Sequence, residues 1–263
     1  MGPFLRFDGV GIDEFYTAFA ASSDGQPGSL YLADVATGQL LPIADVNTPI
    51  PGSNLTFNVS DSPLIDEGRI AFRGYRLESF VPVAGGVYVY DIPTAQITPI
   101  IELFDPLPGG DILGEIQFPS ISGDTVGFAG RPGDEFGPST LFAVVDGQVY
   151  RIIGEGDTLD GHFVQTLIYR PEGHNGRQFA FAIQSQGSAY GAIYVATLHL
   201  PCPADFNSDT LITSADISAF LSAWFLDLAS GTLAADFNAS GVTGSSDITA
   251  FLSAWFAALA GGC

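Results

Sequence analysis

Residues 65–72 read Ile-Asp-Glu-Gly-Arg-Ile-Ala-Phe, and this short pattern recurs through the first two hundred residues of the chain. Related stretches occupy residues 12–19, 121–128 and 177–181, at a period of roughly 50 to 56 residues. Each is followed by further short runs of β-branched and aromatic residues, joined by turn residues such as Asp146-Gly147, which is a hairpin signal. Short antiparallel strands at this period predict the blades of a β-propeller or of a related repeat sheet.

The pattern occurs about three and a half times, because the last copy has no recognisable third segment before Pro201. A single blade cannot bury both of its faces, so neighbouring blades have to stack to form a core. We therefore predict a mainly β, propeller-like domain over residues 1–200. The incomplete count favours a partial propeller, the C-terminal piece of a longer one. A β-sandwich with coincidental spacing is the alternative.

The composition is strongly acidic. The 263 residues include 29 Asp+Glu against 8 Lys+Arg, for a formal net charge of −21, and there is no lysine. This charge repels phosphate backbones and anionic lipids, so nucleic-acid and membrane-surface binding are not expected. No apolar run reaches the roughly 18 residues of a membrane span, and the first residues show no signal peptide.

The β region offers few candidates for catalysis. Its histidines, His162, His174 and His199, have no metal-ligand spacing, and we expect His162 and His174 to face solvent or lie in turns. No Gly-x-Ser-x-Gly nucleophile elbow is present. The acidic loop 155–160 could hold a cation or supply a pair of catalytic carboxylates, but loop acids between strands are more often simply solvated. No catalytic residue is assigned.

The C-terminal region carries the most specific signal, two related twelve-residue loops at 205–216 and 236–247. Both place oxygen-bearing side chains at positions 1, 3, 5 and 12, which is the spacing of an EF-hand calcium loop. Calcium accepts six to eight oxygen ligands in a flexible arrangement, whereas magnesium requires a tighter octahedron. One such loop could be accidental, but two copies 31 residues apart predict two metal sites. Metal-free turns are the alternative.

Each loop is followed by the same predicted helix, over 216–225 and 247–256. Its apolar residues recur at i, i+3, i+4, i+7 and i+8, so one face is apolar, and we expect the two faces to pack on each other. We expect Ser214 or the position-12 acid to cap the first helix, and Ser245 or Ser246 the second. The apolar residues are Ile217, Phe220, Leu221, Trp224 and Phe225 in the first helix, and Ile248, Phe251, Leu252, Trp255 and Phe256 in the second.

The only two cysteines, Cys202 and Cys263, bracket the last 62 residues. This placement predicts a disulfide that joins the two ends of a small module in an oxidising compartment. An unstrained bridge of this span stabilises by roughly 4 kcal/mol. Two free thiols are the alternative.

This arrangement over residues 201–263 resembles the dockerin module, whose paired loop-helix repeats bind calcium and dock onto cohesin domains or serve as C-terminal attachment tags. The Cys-Pro-Ala-Asp-Phe-Asn opening and the Gly-Gly-Cys ending are similar to the Gly-Cys-terminated dockerin-like tags of planctomycete-type secreted proteins. The resemblance implies a secreted or cell-surface protein with two bound calcium ions. The implied ligands are Asp205, Asn207, Asp209, Leu211 (carbonyl), Thr213 and Asp216, and, in the second loop, Asp236, Asn238, Ser240, Val242 (carbonyl) and Asp247. The implied partner-binding positions are Ser214, Ala215, Ser245 and Ser246, facing a cohesin-like or cell-surface anchoring protein.

The two loops depart differently from the EF-hand pattern. The first has Thr210 where the sharp turn favours glycine, and the second keeps Gly241 but has Ser240 in place of an acid. The first loop holds three carboxylates and the second holds two. On charge alone we predict that the first site binds calcium more tightly.

The leading interpretation is a non-catalytic secreted protein with a propeller-like domain and a calcium-binding docking module. The alternative is a carbohydrate-active hydrolase or lyase that acts in polysaccharide breakdown, with catalytic acids such as Asp157 or Asp160 in the propeller loops. A third interpretation is a halophile-adapted acidic surface, which would also account for the absence of lysine.

Overall fold

The computed structural model describes residues 6–22, 28–133, 137–185, 191–200 and 202–260. The chain divides into two compact units, Met1–Leu198 and His199–Cys263. Within the described residues, neither helix combines the length and apolarity needed to cross a membrane.

The first unit consists of four antiparallel sheets that follow one another along the chain. In each sheet the strands lie side by side in sequence order, so the chain completes one sheet before it starts the next. Sheet 1 contains β1 (Arg6–Ile12), β2 (Tyr16–Ser22), β3 (Ser29–Asp34) and β4 (Leu40–Ala44); sheet 2 contains β5 (Val59–Asp66), β6 (Arg69–Glu78), β7 (Val81–Asp91) and β8 (Gln96–Glu102); sheet 3 contains β9 (Leu113–Ser122), β10 (Thr125–Pro132), β11 (Thr140–Val145) and β12 (Gln148–Gly154); a hairpin of β13 (Thr158–Leu159) and β14 (His162–Phe163) precedes sheet 4, which contains β15 (Thr166–Asn175), β16 (Gln178–Gln184) and β17 (Gly191–Thr197).

This order confirms the predicted mainly β, propeller-like repeat. The quoted stretches 12–19, 65–72 and 121–128 each form the hairpin between the first two strands of a sheet. Within the part of the chain that the structure describes, sheet 4 has three strands where the other sheets have four, in agreement with the shortened last copy of the sequence pattern.

Three apolar clusters form the core of the first unit, one between each pair of consecutive sheets. Strand alternation gives the third strand of each sheet an aliphatic side and an aromatic side. The aliphatic side packs against aromatic residues of the next sheet. The pairs are Leu30 and Leu32 with Phe72 and Tyr88, Val87 and Val89 with Phe128 and Phe142, and Leu141 and Ala143 with Phe181 and Tyr194.

The second unit contains α1 (Ser214–Ser230) and α2 (Ser245–Leu259), both longer than the predicted helices. Thr213 is the N-cap of α1, and its hydroxyl accepts a hydrogen bond from Ala215 N at 3.2 Å. The prediction that Ser214, Ser245 or Ser246 caps a helix is wrong, because these serines already lie in the first turns. The extended residue at loop position 9 directly precedes each helix and takes the cap position instead. The position-12 acid Asp216 completes the capping box of α1, as the alternative expectation held.

The core of the second unit is a small aromatic cluster. The rings of Phe220 and Phe251 stack at 4.3 Å between centroids, and Phe206 and Phe237 pack edge-on against them. The two helices therefore pack through their apolar faces, as predicted. Phe225 and Phe256 were expected in this contact, but each is 64% exposed. Five residues turn a helix by about 140°, which carries Phe225 away from the side that holds Phe220.

Cys263 lies outside the described residues, so the Cys202–Cys263 disulfide stays a prediction.

Candidate functional site

The first loop brings three carboxylates together at the start of α1. Oxygen atoms of Asp205, Asp209 and Asp216 lie within 4.8 Å of one another. Asp216 is fully buried, and its two oxygens accept hydrogen bonds from Asn207 N at 3.3 Å and Thr213 N at 2.8 Å. This one side chain therefore ties both ends of the loop to the first turn of the helix.

The other end of the loop is closed by Asp205. Its oxygens accept hydrogen bonds from Asp209 N at 3.0 Å and Thr210 N at 2.8 Å. Thr210 has a φ of 69°, in the left-handed region that favours glycine. The turn predicted from the EF-hand spacing therefore forms, but with a threonine in a strained backbone conformation.

The second loop repeats this hydrogen-bond pattern. Asp236 accepts from Ser240 N at 2.9 Å and Gly241 N at 2.7 Å, and Gly241 supplies the left-handed residue, with a φ of 83°. Asp247 accepts from Gly244 N at 2.8 Å and Asn238 N at 3.1 Å. These two amides lower the pKa of the Asp247 carboxyl, which favours its charged form.

The loops differ at position 5. In the first loop Asp209 adds a third carboxylate, whereas in the second the Ser240 hydroxyl lies 3.1 Å from the carbonyl oxygen of Val242 and donates a hydrogen bond to it. The second loop thus has fewer anionic oxygens and a hydroxyl already engaged with another predicted ligand.

Two tryptophans connect the loops to the opposite helices, a feature that the sequence analysis missed. Trp224 on α1 donates through Nε1 to the carbonyl of Gly244 at 2.8 Å, and Trp255 on α2 donates to the carbonyl of Thr213 at 3.0 Å. Gly244 and Thr213 both occupy position 9 of a loop. The duplicated Trp at a spacing of 31 residues was the available signal, but the analysis assigned it only to the apolar face.

A buried carboxylate was also missed. Asp227, near the end of α1, accepts hydrogen bonds from the hydroxyls of Thr232 and Thr243 and from Ala235 N. These bonds, led by that of Thr232, lower the pKa of Asp227. Ala258 stands at the equivalent place in the second repeat, so Asp227 has no counterpart there.

The donor chemistry of both loops suits a hard cation, because all of the predicted ligand atoms are oxygens. Leu211 and Val242, the predicted carbonyl ligands, are exposed loop residues. The four predicted partner-binding residues, Ser214, Ala215, Ser245 and Ser246, lie exposed in the first turns of the helices.

The first unit contains a separate cavity of about 430 Å³ lined by residues of sheets 2 and 3. Its charged groups are paired. Arg73 donates to both oxygens of Asp61 at 2.7 Å, and Glu115 pairs with Arg131, with 2.9 Å between the Nε and Oε2 atoms. Burial opposes the charge on Arg73, but the Asp61 carboxylate outweighs it and raises the pKa of the guanidinium.

Aromatic and apolar residues complete the cavity. Phe80 and Phe104 line it while remaining largely exposed, Phe80 to 97%. Both have left-handed backbones, with φ of 68° and 74°. Tyr75 lies beside Arg73 and donates its hydroxyl hydrogen to the carbonyl of Ile116 at 3.0 Å. The cavity therefore combines exposed rings with a polar wall whose charges are already compensated.

The acids predicted as alternative catalytic residues lie elsewhere. Asp157 pairs with Arg151 at 2.8 Å and accepts from Gly154 N at 2.8 Å. Although burial opposes it, this environment lowers the pKa of Asp157. Asp160 is exposed in the β13–β14 hairpin, and neither acid lines the cavity.

His174 was expected in a loop or turn, and that expectation is wrong. It lies buried in β15, where Nδ1 is 2.8 Å from the Ser120 hydroxyl and Nε2 is 2.7 Å from the carbonyl of Gly176. Burial lowers its pKa. Because Ser120 is fully buried as well, this Ser-His pair joins two sheets rather than presenting a nucleophile. The available signal was the repeat, since His174 precedes Phe179 by five residues as Ile65 precedes Ile70, and both pairs are opposed in the structure.

No protein-family model matches the sequence, and no curated protein sequence matches it either. Solved structures with a similar arrangement include TolB from Acinetobacter baumannii, with 18% identity over 74% of this chain and a TM-score of 0.41. The β-propeller domain of the Trilobed protease from Pyrococcus furiosus matches 75% of this chain and 69% of that one, with 9% identity and a TM-score of 0.37. An α-L-arabinanase from Penicillium chrysogenum matches 74% of this chain and 67% of that one, with 9% identity and a TM-score of 0.33. The chain spans 41% of the length of TolB.

Proposed function

We propose that the second unit is a dockerin-like calcium-binding module with one ion in each loop. The observation that carries this proposal is the cluster of Asp205, Asp209 and Asp216. Three carboxylates this close repel one another strongly, especially where one of them is buried, unless a cation neutralises them. Calcium would supply that neutralisation and accept the neighbouring amide and carbonyl oxygens as further ligands.

Each ion would stabilise the turn of its loop and the start of the helix that follows. Asp216 and Asp247 would join the ion to the helix starts, while Asp205 and Asp236 would join it to the loop turns. Binding would therefore be coupled to folding, because an unfolded loop presents no preformed site.

We further propose that the folded module attaches the protein to a cohesin-like or cell-surface anchoring partner. The exposed first turns of α1 and α2, with Ser214 and Ser245, provide two equivalent surfaces for this contact. The repetition of the same residues on both helices supports recognition of one partner in two related orientations.

Calorimetric titration of the full chain with calcium, after treatment with a chelator, tests the metal proposal. We expect two ions per chain by native mass spectrometry, and one ion in Asp216→Asn or Asp247→Asn. Asp160→Asn, which removes an exposed acid from the first unit, is the matched control and should retain both. A wild-type chain that binds no calcium at millimolar concentration would contradict the proposal.

A second candidate function concerns the first unit, for which the cavity favours binding of a neutral carbohydrate. The exposed rings of Phe80 and Phe104 offer apolar surface to the C–H face of a sugar, and the carboxylates retain lone pairs for its hydroxyls. Because Asp61 and Glu115 are both paired with arginines, the site disfavours a charged ligand. Because both acids are already engaged by arginines, we propose binding of a sugar in this cavity rather than its hydrolysis.

Binding of a panel of neutral oligosaccharides (β-1,4-, β-1,3- and α-linked hexasaccharides) followed by calorimetry tests this function. We expect one or more to bind, and Phe80→Ala or Phe104→Ala to weaken that binding about tenfold. Phe15→Ala removes another exposed ring, one that does not line the cavity, and should have no effect. If none of the sugars binds while a hydrophobic dye does, the carbohydrate assignment is wrong.

A further inference from the structure

Asp227 is a buried charge that the predicted calcium ligands do not include. Residues 202–260 contain six acidic side chains and no lysine, arginine or histidine. Five of the acids are predicted ligands, and Asp227, near the end of α1, is the sixth. It is 2% exposed, and the hydrogen bonds that it accepts, led by that of Thr232, lower its pKa, so it carries its charge at neutral pH. This segment therefore buries a negative charge that none of its own side chains can neutralise.

The position of Asp227 on its helix adds to the cost of this charge. Its backbone carbonyl accepts a hydrogen bond from the C-cap Gly231 N at 2.7 Å, which places it in the last turn of α1. The C-terminal end of a helix carries a partial negative charge and favours cations, but the last turn of α1 has no basic residue. The described donors to the carboxylate are neutral hydroxyl and amide groups. A cation held close by would offset this cost.

The contacts of Asp227 lie on the second loop. Its Oδ2 atom accepts hydrogen bonds from Ala235 N at 2.6 Å and from the Thr243 hydroxyl at 3.1 Å. Ala235 directly precedes the predicted ligand Asp236, and Thr243 occupies position 8 of the loop. The carboxylate therefore lies against the second loop at two points, one at its start and one near its end.

The first repeat lacks this arrangement. The spacing of 31 residues places Ala258 and Ile212 where the other half has Asp227 and Thr243. The first loop instead carries a third carboxylate of its own, Asp209, at position 5, where the second loop has a serine. The loop with fewer carboxylates is thus the one against which α1 places a buried acid.

We propose that Asp227 is an outer carboxylate of the second calcium site, acting on the ion through its charge rather than as a ligand. The inference rests on the proposed calcium function of the second unit. Both oxygens of Asp227 are already engaged by donors, which leaves the charge to act across the intervening residues. The ion would offset the buried charge, and the charge would raise the affinity of a loop that has two carboxylates of its own. Because an outer charge acts at a distance, it narrows the difference between the two sites without reversing it.

Calcium titration of each loop alone, in the full chain, tests the proposal. Asp205→Ala leaves the second loop to bind, and Asp236→Ala leaves the first. Asp227→Asn keeps the shape of the side chain and removes its charge, so it should weaken binding by the second loop about tenfold. The first loop should weaken less than about threefold, because solvent and salt screen a more distant charge. Asp160→Asn, the matched control, removes an exposed charge from the first unit and should change neither.

The valence of the ion separates an effect of charge from a merely structural one. A loss of stability weakens every ion by the same factor, because binding is coupled to folding. A loss of charge weakens a trivalent ion more, because the Coulomb energy scales with the charge of the ion. Trp224, which bonds to the Gly244 carbonyl of the second loop, can sensitise terbium(III) luminescence there. Where calcium loses about tenfold on Asp227→Asn, terbium should lose about thirtyfold.

Native mass spectrometry gives a second readout that needs no disabled loop. At limiting calcium, Asp227→Asn in the otherwise unchanged chain should increase the one-ion form at the expense of the two-ion form. Far-UV circular dichroism in saturating calcium confirms that each variant is folded.

Equal losses for the two loops, or for the two ions, would assign Asp227 to the fold alone and overturn the inference. An unchanged affinity of the second loop would overturn it as well, while leaving the proposed calcium function intact. A wild-type chain that binds one ion or none would contradict the proposed function itself, and this inference with it.

Discussion

The two units of this chain are stabilised in different ways. In the first unit, three apolar clusters lie between consecutive sheets, and each draws large buried side chains from both sides. Among the described residues of the second unit, the apolar cluster contains three buried residues, Phe220, Ala235 and Phe251. Small modules with so little core usually depend on a metal, a disulfide or a partner. The first unit is therefore expected to fold by burial alone, and the second to fold with its ions.

Removal of calcium should have the largest effect on stability, and it should affect the second unit but not the first. Both tryptophans, Trp224 and Trp255, belong to the second unit, and all nine tyrosines belong to the first. In a chelator, we expect the tryptophan fluorescence of the full chain to lose its cooperative thermal transition, together with the helical signal. The tyrosine near-UV signal should keep its transition. Addition of magnesium in place of calcium should restore little.

If the tryptophan transition is the same with and without chelator, the second unit is stable without metal, which would contradict the expectation that it folds with its ions. Loss of both transitions together would instead show that the units do not fold independently.

The second prediction tests the aromatic cluster that replaces a larger core. Phe251 is fully buried against Phe220, whereas Phe256 on the same helix is exposed. In saturating calcium, Phe251→Ala should lower the free energy of unfolding of the second unit by about 3–5 kcal/mol. Phe256→Ala, the matched control, should change it by no more than about 0.5 kcal/mol. Chemical denaturation followed by tryptophan fluorescence measures both. If the two variants lose similar free energies of unfolding, the core is not formed by the helix face that carries Phe251.

The sequence predicted most of the architecture, because repeated short strands and duplicated loops leave regular spacings. The blade order and the two loop-helix repeats follow from residues such as 65–72 and 205–216. The exposure of Phe225 and Phe256 was not predicted from the sequence. The apolar stripe that includes position i+8 is wider than the surface that two packed helices bury, so the residues at its edge stay exposed. The serine caps were wrong because loop position 9, and not the first serine, is the last extended residue before each helix.

Long-range contacts were the part that the sequence did not reveal. Arg73 pairs with Asp61 from the neighbouring strand, and the Ser120–His174 contact spans 54 positions and two sheets. Neither the distance between two such side chains nor their burial can be predicted from the local sequence pattern. The cavity between sheets 2 and 3 was likewise invisible, because its lining is dispersed from Val59 to Glu115. The indole contacts to the position-9 carbonyls depend on how α1 and α2 cross.

The third prediction compares the two loops within the second unit. Asp205→Ala removes one of three carboxylates in the first loop, and Asp236→Ala removes one of two in the second. Because the first loop holds more anionic oxygens, its wild-type site should bind calcium more tightly, and Asp205→Ala should cause the larger loss in total binding free energy. Calorimetry with each variant isolates the remaining site. The strained Thr210 opposes this order, so a larger loss for Asp236→Ala would show that turn geometry outweighs charge.

The smallest effect is expected from His174 in the first unit. Burial lowers its pKa in the folded state below the ordinary value of 6.5, although the Gly176 carbonyl and the charge of Asp66 oppose this shift. The unfolded chain therefore takes up a proton near pH 6.5 while the folded unit stays neutral at this side chain. The stabilisation is complete above pH 6.5 and is lost as the pH falls from there through the folded pKa.

His174→Gln should remove this dependence, because glutamine can still bond to the Ser120 hydroxyl but does not titrate in this range. Between pH 6.5 and about pH 5, where carboxylates remain largely charged, the tyrosine melting temperature of the wild type should fall by a few degrees more than that of the variant. The tryptophan transition provides the internal control, since residues 202–260 contain no histidine. Equal slopes for the two chains on the tyrosine signal would mean that His174 keeps its ordinary pKa, and that the polar link between sheets 3 and 4 is open to water.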